Sequence, residues 1–276
     1  MARVSTRGVN FLPFGVSAYD FPTRDKIPRI RELMAAKGDG LALDIGCGTG
    51  YTTYFVFGER PTVCVDLHPP NLHYYRSTMA LIPGGRRPLC VVAQATALPF
   101  KVGAFQFVLC SEVLEHLEDD GAAVRELARV LASNGRAVIT VPCTEFGFTS
   151  FLELCGIKTV HDFPGPEQHV RPGYDERSLG QLLARHGLEI ERHTYYLRFF
   201  TRLVTDLVSL AHLLYQRIVH RRRAWTWSDT AAAEGSLAFH FYTWIFPVLW
   251  LFSRLDLLID RLRGFGLVAA GRKRAA

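Results

Sequence analysis

The sequence predicts an α/β fold: a doubly wound, mostly parallel seven-stranded sheet with a helical, apolar insertion before its last strand. Three observations carry this. Short strand-like apolar runs lie near 41–45, 62–66, 89–93, 105–110, 136–141, 188–197 and 266–271, and helix-compatible stretches alternate with the first six. Such alternation implies a parallel sheet with helices on both faces. A glycine-rich turn, Gly46-Cys47-Gly48-Thr49-Gly50, follows the first run directly. Residues 199–262 then form a long apolar stretch between the sixth and seventh runs.

The elements follow in order. Residues 1–40 read as an arm and a helix. Phe11, Phe14, Tyr19 and Phe21 lie among Pro and Gly without a period, and Arg24 to Lys37 is helical until Gly38 and Gly40 stop it. Residues 41–198 form the core. Its first strand, Leu41 to Ile45, is a continuous apolar run, as a parallel strand buried on both faces requires. Helices are expected near 50–58, 70–80, 112–117 and 120–132, with Asn134-Gly135 as a turn and Pro142 ending the fifth strand. Residues 143–173 make a long connection rich in Phe, Gly, Pro and His, of the kind that serves as a lid or binding loop. Asp175 to His186 reads as a helix closed by Gly187. Residues 263–276 hold the last strand and a basic tail.

At 276 residues the chain can bury a substantial core without disulfides. Its six cysteines (47, 64, 90, 110, 143 and 155) include no Cys-x-x-Cys pair, so reduced, buried thiols in a cytoplasmic protein are expected. No secretory signal is expected, because Pro13 and Gly15 break the first twenty residues. The net charge of +6 is local: residues 199–276 carry 11 Lys/Arg against 5 Asp/Glu, and the rest balances. All four tryptophans lie in the same segment.

The chemistry begins at the glycine turn. Glycine permits positive φ and close approach of a ligand to the main chain. The second strand ends in Asp66, where a doubly wound fold places a carboxylate on the ribose hydroxyls of an adenosine. Two later strand ends narrow the reading: Gln94-Ala95-Thr96-Ala97-Leu98-Pro99-Phe100, and Cys110-Ser111-Glu112-Val113-Leu114-Glu115-His116.

With these runs, residues from about Leu41 to Val141 resemble the class I S-adenosylmethionine-dependent methyltransferases, in the small-molecule group that includes the ubiquinone and menaquinone enzymes. The resemblance implies a Rossmann-like methyltransferase fold whose last strand is antiparallel, and S-adenosyl-L-methionine as cofactor. It implies that Asp44, Gly46, Cys47, Gly48 and Gly50 meet the methionine portion, Asp66 the ribose and Leu67 the adenine. Gln94, Ala95 and Thr96 would lie at the adenine, and Cys110 and Ser111 beside the methyl group. Gln94 stands where the family usually has an acid, and Gln106 where an Asp is common.

Methyl transfer to a hydroxyl needs an in-line approach and a place for the proton. Glu112, Glu115 and His116 share a face if 112–117 is helical. His116 is then a candidate general base, with Glu112 and His169 as further catalytic candidates and His161 as a weaker one. The same run can bind a hard divalent ion, as in quinone O-methyltransferases, or simply brace the helix; no metal is assigned. Tyr51 and Tyr174 are candidate pocket walls.

Polar residues recur along 199–218 at Arg202, Asp206, Ser209, His212 and Gln216 on an otherwise apolar cylinder. Arg221-Arg222-Arg223, Trp225 and Trp227 follow, then seventeen uncharged residues, Ser236 to Phe252, interrupted by Pro247. The composition fits contact with a membrane surface, with a soluble cap, a dimer interface or a span as alternatives. The expectation is therefore a methyltransferase acting on a lipophilic small molecule (a quinone precursor, polyprenyl or lipid-linked compound), at oxygen. It is expected to be cytoplasmic and peripheral at the membrane, with homodimerisation open. A catalytically silent binding or scaffold protein of the same fold is the alternative. A nucleic-acid partner is not expected, since Ser111-Glu112-Val113-Leu114 replaces the Asn/Asp-Pro-Pro-aromatic run of base methyltransferases and the arginine cluster is short.

Overall fold

The computed structural model describes residues 19–35, 40–82, 88–145, 169–219 and 237–273. His161, Cys155, Arg221 to Arg223, Trp225, Trp227 and the expected short helix around 148–155 lie outside them. The sheet comprises β1 (Ala42–Ile45), β2 (Thr62–Asp66), β3 (Leu89–Val92), β4 (Phe105–Ser111), β5 (Leu131–Pro142), β6 (Leu188–Tyr196) and β7 (Gly266–Lys273), in the order β3-β2-β1-β4-β5-β7-β6. Neighbours among the first five strands pair in parallel, and β7 runs antiparallel to both β5 and β6. The chain thus winds outward from β1 to β3, returns to β4 on the other side of β1, and closes by inserting β7. The order reverses between β1 and β4, and ligands bind outside the carboxyl ends of the strands at such a switch point.

The central strands are largely buried, with Leu43, Ile45, Val108, Leu109 and Ile139 almost inaccessible. Helices α1 (Phe21–Met34), α2 (Tyr51–Phe57), α3 (Pro69–Ala80), α4 (Asp120–Val130) and α5 (Glu176–Arg185) follow in chain order. Their starts are fixed by local chemistry. Asp20 accepts from Thr23 N at 2.8 Å, so α1 begins three residues before the sequence suggests. Asp175 and Ser178 form a reciprocal capping box on α5, which ends before Gly187 at φ +76°.

One expected helix is absent. Residues 112–117 do not form a continuous helix: Ser111 still belongs to β4, Glu112 turns with φ +55°, and only Leu114–His116 make a 3-10 turn. A positive φ at a non-glycine residue is costly and is held by its surroundings.

The insertion contributes α6 (Phe199–Val219), α7 (Leu237–Ser253) and a 3-10 segment, Arg254–Ile259. Asp256 ties them together by accepting from Phe200 N at 2.8 Å and Thr201 N at 3.0 Å, at the start of α6. On α6, Arg202 and Asp206 face inward as a buried pair at 3.1 Å, and the Arg202 guanidinium lies 4.3 Å from the Phe265 ring centroid. Leu207 and Leu214 face outward. On α7, Phe246 packs on Tyr19 and Phe21, and Tyr242 donates to the Tyr19 carbonyl at 2.7 Å. Phe241, Trp244, Val248 and Leu251 stand exposed, Trp244 at 77%. His240–Ile259 is long and apolar enough to cross a membrane by length and composition.

Candidate active site

The glycine turn closes over the end of β1. Gly46 N and Cys47 N both donate to Val65 O, at 2.8 and 3.0 Å, and Gly50 N donates to Cys47 O at 2.9 Å. The three glycines have φ of +69°, +53° and +78°. A Cβ on Gly46 would meet Val113 at 2.4 Å and one on Gly50 would meet the Tyr75 ring at 2.2 Å, whereas one on Gly48 would meet nothing within 4 Å. Gly46 and Gly50 are therefore dictated by packing. Gly48 opens onto free space.

Asp66, at the end of β2, faces this opening. Its Oδ2 accepts from Gly48 N at 2.8 Å, and its Oδ1 accepts from His68 N at 2.8 Å and Asn71 Nδ2 at 3.2 Å. A carboxylate offers about four acceptor positions, so one remains for a ligand hydroxyl. Leu67 next to it is exposed, an apolar face beside a polar acceptor. Gln94 is exposed beyond β3, with its side-chain oxygen 3.5 Å from Thr96 Oγ1, while Ala95 packs on the core.

Asp44 lies beneath the turn, almost wholly buried, and accepts from Thr53 Oγ1 at 2.5 Å. Burial pushes its carboxyl up to about 7, opposed by the Thr53 hydroxyl and the Lys26 ammonium. Cys110 is buried at the end of β4; its thiol is raised by burial first, then by the carboxylates of Glu115, Asp44 and Glu112. The end of β4 thus feels the charge of all three carboxylates.

Beyond Cys110 the arrangement differs from the helical face expected of Glu112, Glu115 and His116. The turn at Glu112 sends its side chain toward β5 and β6, where Oε1 accepts from Thr140 Oγ1 and Tyr196 OH, both at 2.8 Å. Thr140 also meets Ser111 Oγ at 2.9 Å. Two hydroxyl donors on one oxygen favour its ionised, hydrogen-bonded form over base catalysis, which makes Glu112 a positioning residue. Glu115 and His116 instead converge with His169, whose ring meets that of His116 edge-on at 4.7 Å between centroids. Tyr174 donates to Asp120 at 2.7 Å and so braces the segment. Thr140, Tyr196 and Lys26 were not singled out in the sequence. The first two end strands at the carboxyl edge, which is the only signal they carry; Lys26 carries none.

Comparison with known proteins agrees with this geometry. Residues 43–139 match the family described as a methyltransferase domain. The malonyl-[acyl-carrier protein] O-methyltransferase of Halorhodospira halophila is 36% identical over 117 residues, 41% of this chain and 37% of that protein. Tocopherol O-methyltransferase of Arabidopsis thaliana is 30% identical over 103 residues, 37% of this chain and 30% of that protein. The match thus spans about a third of the length of these relatives. A crystal structure of an S-adenosylmethionine-dependent methyltransferase from Thermotoga maritima superposes with a TM-score of 0.57 at 14% identity, covering 96% of this chain and 93% of that one, and shows the shared fold. Residues 43–139 thus form a methyltransferase domain, and the sheet has the fold of the class I S-adenosylmethionine-dependent methyltransferases.

The residues present fit S-adenosylmethionine. Open space over Gly48, a free acceptor position on Asp66 and the exposed Leu67 provide for a main-chain approach, a ribose and a flat apolar ring in that order.

Proposed function

We propose that the protein is an S-adenosylmethionine-dependent methyltransferase acting on a hydroxyl oxygen of a lipophilic small molecule taken from a membrane surface. The observation that carries this reading is where the insertion leaves the sheet. It departs after Tyr196 and returns at Gly266, and both residues pair at the carboxyl edge beside Pro142. The site lies on the same edge. The inward pair Arg202–Asp206 and the outward Phe241, Trp244, Val248 and Leu251 make a surface that is apolar where a soluble helix is polar. Arg254, which lies over the Trp250 ring, suits anionic headgroups. Contact in the plane of the surface fits better than a span, because Asp256 is committed to α6 and Phe246 to α1.

S-adenosylmethionine supplies an electrophilic methyl group on a sulfonium. The chain has to hold the acceptor in line and receive its proton. The acceptor hydroxyl loses its proton toward the cluster of Glu115, His116 and His169, and its oxygen forms the new bond to the methyl carbon. With S-adenosylmethionine bound, the carbon–sulfur bond would break and its electron pair would stay on sulfur. Glu112, held by Thr140 and Tyr196, fixes the end of β4 against β5 and β6 while this happens.

The test uses purified protein, methyl-labelled S-adenosylmethionine and a total extract of host cells, separated afterwards into organic and aqueous phases. Label in the organic phase is expected. Label confined to the aqueous phase removes the lipophilic acceptor.

A further inference from the structure

A cavity of about 340 Å³ lies between α1, β6 and the residues that follow Ile259, at the outer edge of the sheet and three strands away from β4. Four arginines line it, Arg29, Arg192, Arg198 and Arg261, against two acids, Glu32 and Asp260. Two of the guanidinium side chains are buried: Arg198 is 2% exposed and Arg29 9%. Arg198 is fixed by carbonyls, with Nε donating to Leu262 O at 2.8 Å and Nη2 to Asp260 O at 2.7 Å. Arg29 donates to Asp260 Oδ1 at 2.9 Å and to Asp25 Oδ1 at 3.3 Å. The same Asp260 Oδ1 lies 3.1 Å from Arg198 Nη1, so one oxygen serves both cations.

That oxygen does not satisfy them. Arg29 Nε and Arg198 Nη1 are buried and have no hydrogen-bond partner among the described residues. Burial, and after it the Arg29 charge, holds the Arg198 guanidinium below its ordinary range. Unmade donors on a buried cation are costly, so the pair has room for a further acceptor. The Asp260 side chain is 54% exposed and can give way to one. Guanidinium forks match the oxygens of a phosphate, which can bridge two of them at once. Arg192 and Arg261 are exposed and add positive charge on the solvent side. The stretch that carries Asp260 and Arg261 also presents Leu257, Leu258 and Leu262 to solvent, Leu258 at 82%. Basic groups set among exposed leucines suit a headgroup whose acyl chains lie alongside.

We propose that this cavity binds the phosphate of an anionic phospholipid, its oxygens taken by Arg29 and Arg198 and its apolar part lying against Leu257, Leu258 and Leu262. The phosphate site stands on the cavity alone; a lipid as its source rests on the membrane-surface reading above. Bound there, the headgroup holds the insertion to the surface by charge as well as by its apolar face.

The test takes the full-length chain, Arg198→Lys, Asp260→Asn and Trp244→Glu through two measurements. One is calorimetric titration with inorganic phosphate. The other is co-sedimentation with phosphatidylcholine vesicles, with and without phosphatidic acid. Arg198→Lys keeps the charge but loses the fork, and is expected to bind phosphate roughly 10-fold more weakly and to lose the preference for phosphatidic acid. Asp260→Asn removes the competing carboxylate and should bind phosphate more tightly, an effect that loss of structure does not produce; it carries the test if Arg198→Lys does not fold. Trp244→Glu should lose vesicle association and keep its phosphate affinity. Phosphate affinity equal in the wild type, Arg198→Lys and Asp260→Asn, or missing from the wild type, overturns the site. Phosphate affinity that follows these variants without any preference for phosphatidic acid upholds the site and overturns the lipid, assigning the cavity to a soluble phosphate compound. If the wild type also binds neither kind of vesicle, the membrane-surface reading falls while the phosphate site stands.

Discussion

The Tyr196 hydroxyl, at the end of β6, donates to Glu112 Oε1, at the end of β4, across 2.8 Å. The bond spans the sheet over β5 and β7 and pins the left-handed turn at Glu112, with Thr140 on β5 as a second donor. The insertion begins directly after Tyr196, so the same residue anchors the catalytic edge and the apolar appendage.

Tyr196→Phe removes a buried donor from the Glu112 carboxyl group. A loss of about 1–3 kcal/mol is expected, measured by denaturant unfolding. Turnover should fall while cofactor affinity holds, because the bond positions the acceptor side. An unchanged unfolding midpoint would show that Thr140 alone holds the turn.

Alanine at Gly48 and at Gly50 separates binding from folding. Both positions have positive φ, which costs an L-residue about 1–2 kcal/mol. Gly50→Ala also drives its Cβ into the Tyr75 ring and should unfold at markedly lower temperature. Gly48→Ala has space around it, so it should fold but bind S-adenosylmethionine more weakly by roughly 10-fold or more, about 1.4 kcal/mol. Equal melting temperatures for the two variants would contradict this.

Asp44 makes stability depend on pH. Its carboxyl moves from 3.8 unfolded to about 7 folded, so between these values the folded protein holds more protons. Stability should therefore fall as pH rises from about 4 to about 7 and level off above, by an amount on the order of a few kcal/mol. Asp44→Asn should flatten this window in unfolding curves taken across pH. If the cofactor's ammonium meets Asp44, affinity for S-adenosylmethionine should rise over the same range.

Trp244→Glu tests the apolar face. The residue is exposed, so stability should change by no more than about 0.5 kcal/mol. Co-sedimentation with vesicles containing anionic lipid should drop sharply. Undiminished co-sedimentation would assign the face to another partner.

Much of the fold was legible because parallel strands are continuous apolar runs and glycines mark the turn. The strands at 41–45 and 62–66 and the antiparallel closure follow from those signals and from the family resemblance, whereas the bond from Gly48 N to Asp66 appears only in the structure. The turn at Glu112 was not legible. A Glu-x-x-Glu-His run has helical spacing, and tertiary bonds such as those from Thr140 and Tyr196 hold it out of a helix. The direction of the stripe on α6 was equally hidden, since periodicity shows that Arg202 and Asp206 share a face but not that this face turns inward. His169 was legible as a loop histidine, and its partner His116 was legible as part of a motif. Their contact, across more than fifty residues, is a product of the fold.

The central claim is that the crevice between β1 and β4 holds S-adenosylmethionine. Calorimetric titration of the wild type and Asp66→Ala with S-adenosylmethionine tests it most directly. The wild type should bind a single molecule, and loss of the Asp66 acceptor should weaken binding by roughly 10-fold or more, about 1.4 kcal/mol. No heat from the wild type, or equal affinity in the variant, would contradict the account.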